Sequence, residues 1–131
     1  MNPHDLAQQM IAKIEESYVM AWNGRGIIQK PFFHMSWHFF DRRLGDVVRE
    51  RVFSVEAIEI DEEYQRKGIL TAFIKILLED DRRPAIPMRF IHFKDCGPDL
   101  CRLLQRLHFH RHPVGPGTDY WHPVTGQKEL L

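Results

Sequence analysis

Two cysteines are too few for a disulfide framework, and Cys96 and Cys101 stand close together in the chain. The chain has no apolar run of membrane-spanning length, and its N-terminus lacks the basic-then-apolar pattern of a secretory leader. Together these absences predict a protein of the reducing cytoplasm, with no membrane partner. Surplus charge is also missing: 18 basic residues balance 18 acidic ones, for a formal net charge of zero. Holding nucleic acid by phosphate neutralisation needs a basic excess, so that class of partner is set aside. No internal repeat or low-complexity linker interrupts the 131 residues, and the length predicts one domain over 1–131.

The apolar content, 44%, is enough for a real core. Charge is spread unevenly along the chain. Residues 1–63 carry 7 basic and 11 acidic side chains, and residues 64–131 carry 11 and 7. The swing suits an anionic ligand held by the second half.

Asn2-Pro3 reads as an N-cap followed by proline in the first helical turn, with Asp5 beside it. Leu6, Met10, Ile14 and Tyr18 recur at i+4 spacing, which predicts an amphipathic helix over Pro3 to Met20, closed near Asn23-Gly24. The aromatic run from Phe32 to Phe40 predicts a strand, the segment Asp41 to Asp46 a turn, and Val47 to Phe53 the returning strand. Ser54 to Ile60 reads as a further strand, with Glu56 on the face of Ile58 and Ile60, and Glu59 on the other. The helix predicted next, Ile69 to Asp80, is apolar on every side except a stripe of Thr71, Lys75 and Glu79, so it must pack against a sheet. Met88 to Phe93 predicts a buried strand reached by a right-handed parallel crossover. A short helix over Pro98 to Leu107 and a hairpin of Phe109–Val114 with Tyr120–Val124, turning at Gly115-Pro116-Gly117, complete the chain.

The organising stretch is Ile58 to Asp80, IEIDEEYQRKGILTAFIKILLED. An apolar strand runs through an acidic and then a basic turn into the apolar helix. A helix N-terminus offers unpaired N–H groups and a partial positive charge, which together suit a phosphate. Arg66 and Lys67 add full charges there, and Gly68 removes a Cβ from the path of a ligand. This stretch resembles motif A of the GNAT family, the acetyl-CoA-dependent N-acetyltransferases, with the pattern Q/R-x-x-G-x-G/A. Gln65 and Gly68 match, and Leu70 occupies the last position. A second anchor is similar to the family's L-Y-x-x-L-G-F. Leu103, Leu107 and Phe109 match it, with Leu104 at the tyrosine and His108 at the glycine. The resemblance spans roughly residues 47 to 124 and implies an α/β fold, a GNAT-like mixed, mostly antiparallel sheet with helices on both faces.

The resemblance also implies a ligand and a reaction. Acetyl-CoA would lay its pantetheine arm along the main chain of Ile58, Glu59 and Ile60. Its pyrophosphate would meet the N–H groups of Gln65, Arg66, Lys67, Gly68, Ile69, Leu70 and Thr71. Acetyl transfer to an amine needs a polarised carbonyl, a base for the amine and help for the departing thiolate. Glu56 is the first candidate for the base, because a partly buried carboxylate beside the cofactor strand can take a proton from an amine; paired with an arginine, the same side chain would be structural. His92 is the alternative base, or else a hydrogen-bonded core histidine. Tyr120 is the candidate acid, since Leu104 cannot donate a proton.

Other readings compete with this one. His108, His110 and His112 would share one face of a strand, but no zinc spacing appears, and no metal ligand is assigned. Trp22, Trp37, Trp121 and the aromatic run fill a small core or mark a docking surface. The expected function is transfer of acetyl from acetyl-CoA to an amine of a small molecule or protein, by a monomer or homodimer. The alternative is a GNAT-like protein of weak or no activity that binds and modulates another protein.

Overall fold

The computed structural model describes residues 2–44, 47–79, 85–112 and 118–124. Asn2 opens helix α1, Pro3–Met20, by accepting the Asp5 N–H at 2.9 Å, and Ala21 closes it. The i+4 series Leu6, Met10 and Ile14 is buried together with Ala7 and Ile11. Strand β1, Arg25–Gln29, follows at the sheet edge, and it was not foreseen. Strand β2 is Phe33–Leu44, so the residues expected to turn from Asp41 to Leu44 are strand instead, while Gly45 and Asp46 lie outside the described residues. Strand β3 runs unbroken over Val47–Ile60, joining what the sequence suggested were two strands.

Beyond a short 3-10 turn at Glu62–Tyr64, helix α2 covers Ile69–Leu78, and strand β4 covers Phe90–Phe93. Helix α3 is Pro98–Arg106, and the closing hairpin is β5, His110–His112, with β6, Asp119–Pro123. Asp80, the expected last residue of the second helix, and the turn at Gly115-Pro116-Gly117 lie outside the described residues. The six strands form one mixed sheet in the order β1-β2-β3-β4-β6-β5. Among the described strands, β3 and β4 pair in parallel across the α2 crossover, and the other pairs are antiparallel. The fold is α/β with a mostly antiparallel mixed sheet and three described helices, consistent with a GNAT-like architecture.

Register divides the sheet chemically. Trp37, Val55, Phe93 and Tyr120 face each other strand by strand on one side. Trp37 stacks on Phe53 and donates its Nε1–H to Ser17 Oγ of α1 at 2.8 Å. Gln105 of α3 donates to the Tyr120 hydroxyl at 2.8 Å. Helix contacts described for α1 and α3 therefore meet this face, and Phe73, Ile74 and Leu77 of α2 belong to the same buried cluster. On the opposite side, His38, Ser54, His92 and Trp121 lie in register. A layer of Arg, His, Ser and carboxylate groups covers that side, and it leads to the site.

Two bulges shape β2 and β3. At the first, the register shifts between Phe40 and Arg42; Arg51 adopts φ 58°, and its N–H donates to the Asp41 carboxylate at 3.1 Å. At the second, Ser36 faces Ala57 and Trp37 faces Val55, which leaves Glu56 with no partner on β2. A bulge re-aims a side chain. Here it parts Glu56, which stays with Ser54, from Ile58 and Ile60, which face Met35 and Phe33 on the side of Trp37, although simple alternation set all of them on one face.

Candidate functional site

Val55 faces Phe93 at the end of the parallel ladder, and the Lys94 N–H donates to the Val55 carbonyl at 3.0 Å. There the two strands part. β3 continues to Ile60 paired with β2 alone, while the chain leaving β4 turns at Asp95, φ 51°, toward α3. The parting opens a cavity of about 420 Å³ between Glu56–Ile58 on one bank and Lys94–Leu100 on the other. It meets a second cavity of about 540 Å³, with which it shares Ile58, Asp99 and Leu100. Of the residues that motif A assigns to the cofactor, all but Lys67 line this larger cavity.

The β3–α2 turn explains why. Arg66 and Gly68 both adopt positive φ, 61° and 81°, which folds the turn back onto the groove. Gly68 is the N-cap of α2, with no side chain to cap the helix. Ala72 makes the first helical bond, donating to the Gly68 carbonyl at 3.0 Å, so Ile69, Leu70 and Thr71 have no intrahelical acceptor for their N–H groups. A Cβ built on Gly68 meets nothing within 4 Å. These features fit a phosphate group. Gln65 differs from expectation: its N–H donates to the Glu62 carbonyl at 3.1 Å and its side chain to the Ile60 carbonyl at 2.7 Å, so it shapes the turn.

Helix α3 supplies charge that motif reasoning missed. Arg102 and Arg106 line the same cavity as Arg66. Arg102 pairs with Asp99 one turn earlier. The i, i+4 spacing of the two arginines was the available signal, because it sets both on one helical face.

Glu56 ends a polar chain that crosses three strands. Ser54 Oγ lies 3.1 Å from Glu56 Oε2 and 2.7 Å from His92 Nδ1. His92 Nε2 lies 3.0 Å from Asp119 Oδ2, and Asp119 Oδ1 accepts the Asp95 N–H at 2.9 Å. Arg42 reaches in from β2, its Nη1 3.2 Å from Ser54 Oγ and 3.3 Å from His92 Nδ1, with its guanidinium over the Phe40 ring. Lys94 Nζ stands 3.8 Å from Glu56 Oε1. Ser54 and His92 are fully buried, while Glu56 keeps 30% of its side chain exposed and lines the groove. The first bulge places Arg42 over this cluster. Sequence reasoning missed Arg42, Ser54 and Asp119, since only strand pairing brings them to His92.

The other candidates separate in space. His92 does not line the groove, and Ser54 stands between it and Glu56. Tyr120 is 2% exposed, its hydroxyl is engaged by Gln105, and it does not line the groove. Leu104 is fully buried in the core. Burial, and then Arg25 and Arg42, push His38 below the usual histidine value, against the opposing pull of Glu56. Cys96 lines the groove, and burial, with Cys101 and the Asp119 and Asp95 charges, pushes its thiol up to about 12. It therefore stands there as a thiol, not a thiolate nucleophile. His108, at φ 65°, precedes β5 and does not share a strand with His110 and His112. Among the described residues, no group of three His, Cys, Asp or Glu side chains could hold a metal, and no helix is long and apolar enough to cross a membrane.

No family model matches the chain, and no curated protein matches it in sequence.

Proposed function

We propose that this chain is an N-acetyltransferase that takes the acetyl group of acetyl-CoA to an amine of a small molecule or a protein. One observation carries the reading: a groove opens where two parallel strands part, and it is continuous with a glycine-capped helix N-terminus flanked by Arg66, Arg102 and Arg106. Strand main chain with a sheet neighbour on one side alone can pair on the other with the amides of a pantetheine arm, and the turn with a pyrophosphate. Acetyl-CoA supplies an activated thioester. The chain's own part is to bind and orient it and to manage protons at Glu56, the carboxylate that looks into the groove. Lys94 and Arg42 stand beside that carboxylate, at 3.8 and 4.0 Å.

Calorimetry with acetyl-CoA tests the reading. The intact chain is expected to bind it, and Gly68→Glu, which puts a carboxylate into the phosphate cradle, to lose binding. An intact chain that releases no heat at high ligand concentration rules the reading out.

A second reading, docking on a protein, is favoured by one feature. Val19, Met20 and Trp22 at the end of α1 and Ile27 on edge strand β1 are exposed, Trp22 by 91%. Pull-down with Trp22→Ser as the control tests it.

A further inference from the structure

Glu56 lines a third cavity as well as the groove. This one, of about 460 Å³, is lined mainly from β1 and β2. The bulge makes room for it. Ser36 faces Ala57 and Trp37 faces Val55, so no β2 residue stands opposite Glu56. The walls are Arg25 and Ile27 of β1, Ser36 and His38 of β2, and Glu56 of β3. Register groups them, since Arg25 pairs with His38 and Ile27 with Ser36. Gly26, with no side chain, and Trp37 complete the lining.

Two of these lining residues carry a formal charge, Arg25 and Glu56, and they sit on strands separated by β2. Two strand spacings are about 10 Å, so a ligand reaching both charges needs a chain of only a few atoms. Among the described residues, no carboxylate forms an ion pair with Arg25. Lys94 and Arg42, the cations beside Glu56, do not line this cavity. Between the two charges stands His38. Burial, and then Arg25, push it below the usual histidine value against the opposing pull of Glu56, so near pH 7 its ring is neutral. The cavity thus presents one cation, one anion and otherwise uncharged groups.

We propose that this cavity receives the amine acceptor, and that the acceptor is a short amino acid whose amine meets Glu56 and whose carboxylate meets Arg25. A ligand with one positive and one negative end matches the two charges of the lining. A diamine would set its second ammonium against Arg25, and a neutral amine would forgo the contact. Acetylation removes the charge of the amine alone, so the carboxylate stays on Arg25 throughout.

The acceptor role rests on the acetyltransferase reading; the preference for a zwitterion does not. In that role Glu56 stands between the two ligands, since it lines both the groove and this cavity. The amine nitrogen bonds to the acetyl carbon, and the carbon–sulfur electron pair leaves on sulfur. The ammonium sheds two protons in all, one to solvent by way of Glu56 and one to the sulfur.

The test titrates the intact chain, without acetyl-CoA, with glycine, β-alanine and 4-aminobutyrate, each against its own carboxamide, and with 1,4-diaminobutane. NMR follows the His38 ring and the amides of Ile27 and Ser36. At pH 7 at least one amino acid is expected to give saturating shifts at all three and to bind about fivefold more tightly than its carboxamide, the worth of one exposed ion pair. The diamine should leave them unmoved. Arg25 is exposed, so Arg25→Gln should fold, and it should erase the difference between acid and amide. A carboxamide or the diamine binding as tightly as the amino acids overturns the proposal, as does a panel that moves none of these signals. A preference that persists in Arg25→Gln overturns it too. Calorimetry with acetyl-CoA and an acetylation assay separate the two claims. A chain that binds an amino acid here but no acetyl-CoA leaves the subsite standing and removes the acetyltransferase reading. Acetylation of the carboxamides or the diamine as fast as of the amino acids does the reverse.

Discussion

Val55 and Phe93 face each other at the last rung of the parallel pair β3–β4, and the groove begins where these strands part. Sheet pairing would otherwise consume the β3 main chain that follows. Its release leaves polar backbone that must find water or a ligand. The same rung anchors the site, because Ser54 and His92 form the preceding rung and Glu56 lies one residue beyond it.

Gly68 should matter in two separable ways. At φ 81° an alanine is strained, but its Cβ would meet no neighbour. Gly68→Ala is expected to lower unfolding free energy by about 1–2 kcal/mol, the cost of a left-handed non-glycine residue. Denaturant titration measures that loss. Binding of acetyl-CoA should fall modestly in Gly68→Ala and vanish in Gly68→Glu.

Arg102 and Arg106 should contribute to binding more than to stability. Both line the groove, and the Arg102 side chain is 63% exposed. Changing either to glutamine is expected to weaken acetyl-CoA about tenfold, roughly 1.4 kcal/mol, with the melting temperature nearly unchanged. Rising salt should shrink the difference between wild type and variant, as it screens exposed charge. An effect that salt leaves untouched would argue against a phosphate contact.

Cys96 should resist alkylation while folded. Its thiol titrates near 12 against an ordinary value of 9.0, so near pH 8 its thiolate fraction is lower by about a thousandfold. The linkage has a definite sign. Above pH 9 the unfolded thiol loses its proton and the folded one keeps it, so this group destabilises the fold progressively from pH 9 to 12. Iodoacetamide labelling read by peptide mass should find Cys96 protected at pH 8 and open in denaturant.

Ser17→Ala should leave the Trp37 indole N–H without its acceptor in a site 1% exposed. A buried unpaired donor costs about 1–3 kcal/mol. Thermal melting should show the drop, with acetyl-CoA affinity of the folded protein retained.

Local signals carried much of the fold. α1 was legible from end to end, since Asn2-Pro3 marks its start and Leu6, Met10 and Ile14 repeat at helical spacing. The Gly68 turn was legible as structure because a basic glycine-containing segment there joins an apolar strand to an apolar helix. β1 escaped notice because Arg25–Gln29 is short and has one buried residue, so alternation had nothing to register. β3 was divided between Phe53 and Ser54, where the strand in fact runs on unbroken, and its irregularity lies earlier, at Arg51. The bulge opposite Glu56 was invisible for a different reason. It exists only in the pairing of β3 with β2, and it put Ile58 and Ile60 on the face opposite Glu56. The chain from Asp119 to Glu56 was hidden in the same way, since Ser54 and His92 are 38 residues apart and meet through sheet register. Tyr120 looked available to the site from composition alone, and its burial on the helix-facing side follows from the register of β6.

Backbone amide NMR during titration with acetyl-CoA tests the central claim most directly, because it reports binding and place together. The account predicts saturating shifts concentrated at the amides of Ile58, Glu59 and Ile60 on the freed strand and of Gly68, Ile69, Leu70 and Thr71 at the helix start. The amides of Trp22 and Ile27 should stay where they are. No shifts at millimolar ligand, or shifts gathered around Trp22 and Ile27 with the Gly68 turn silent, would contradict it.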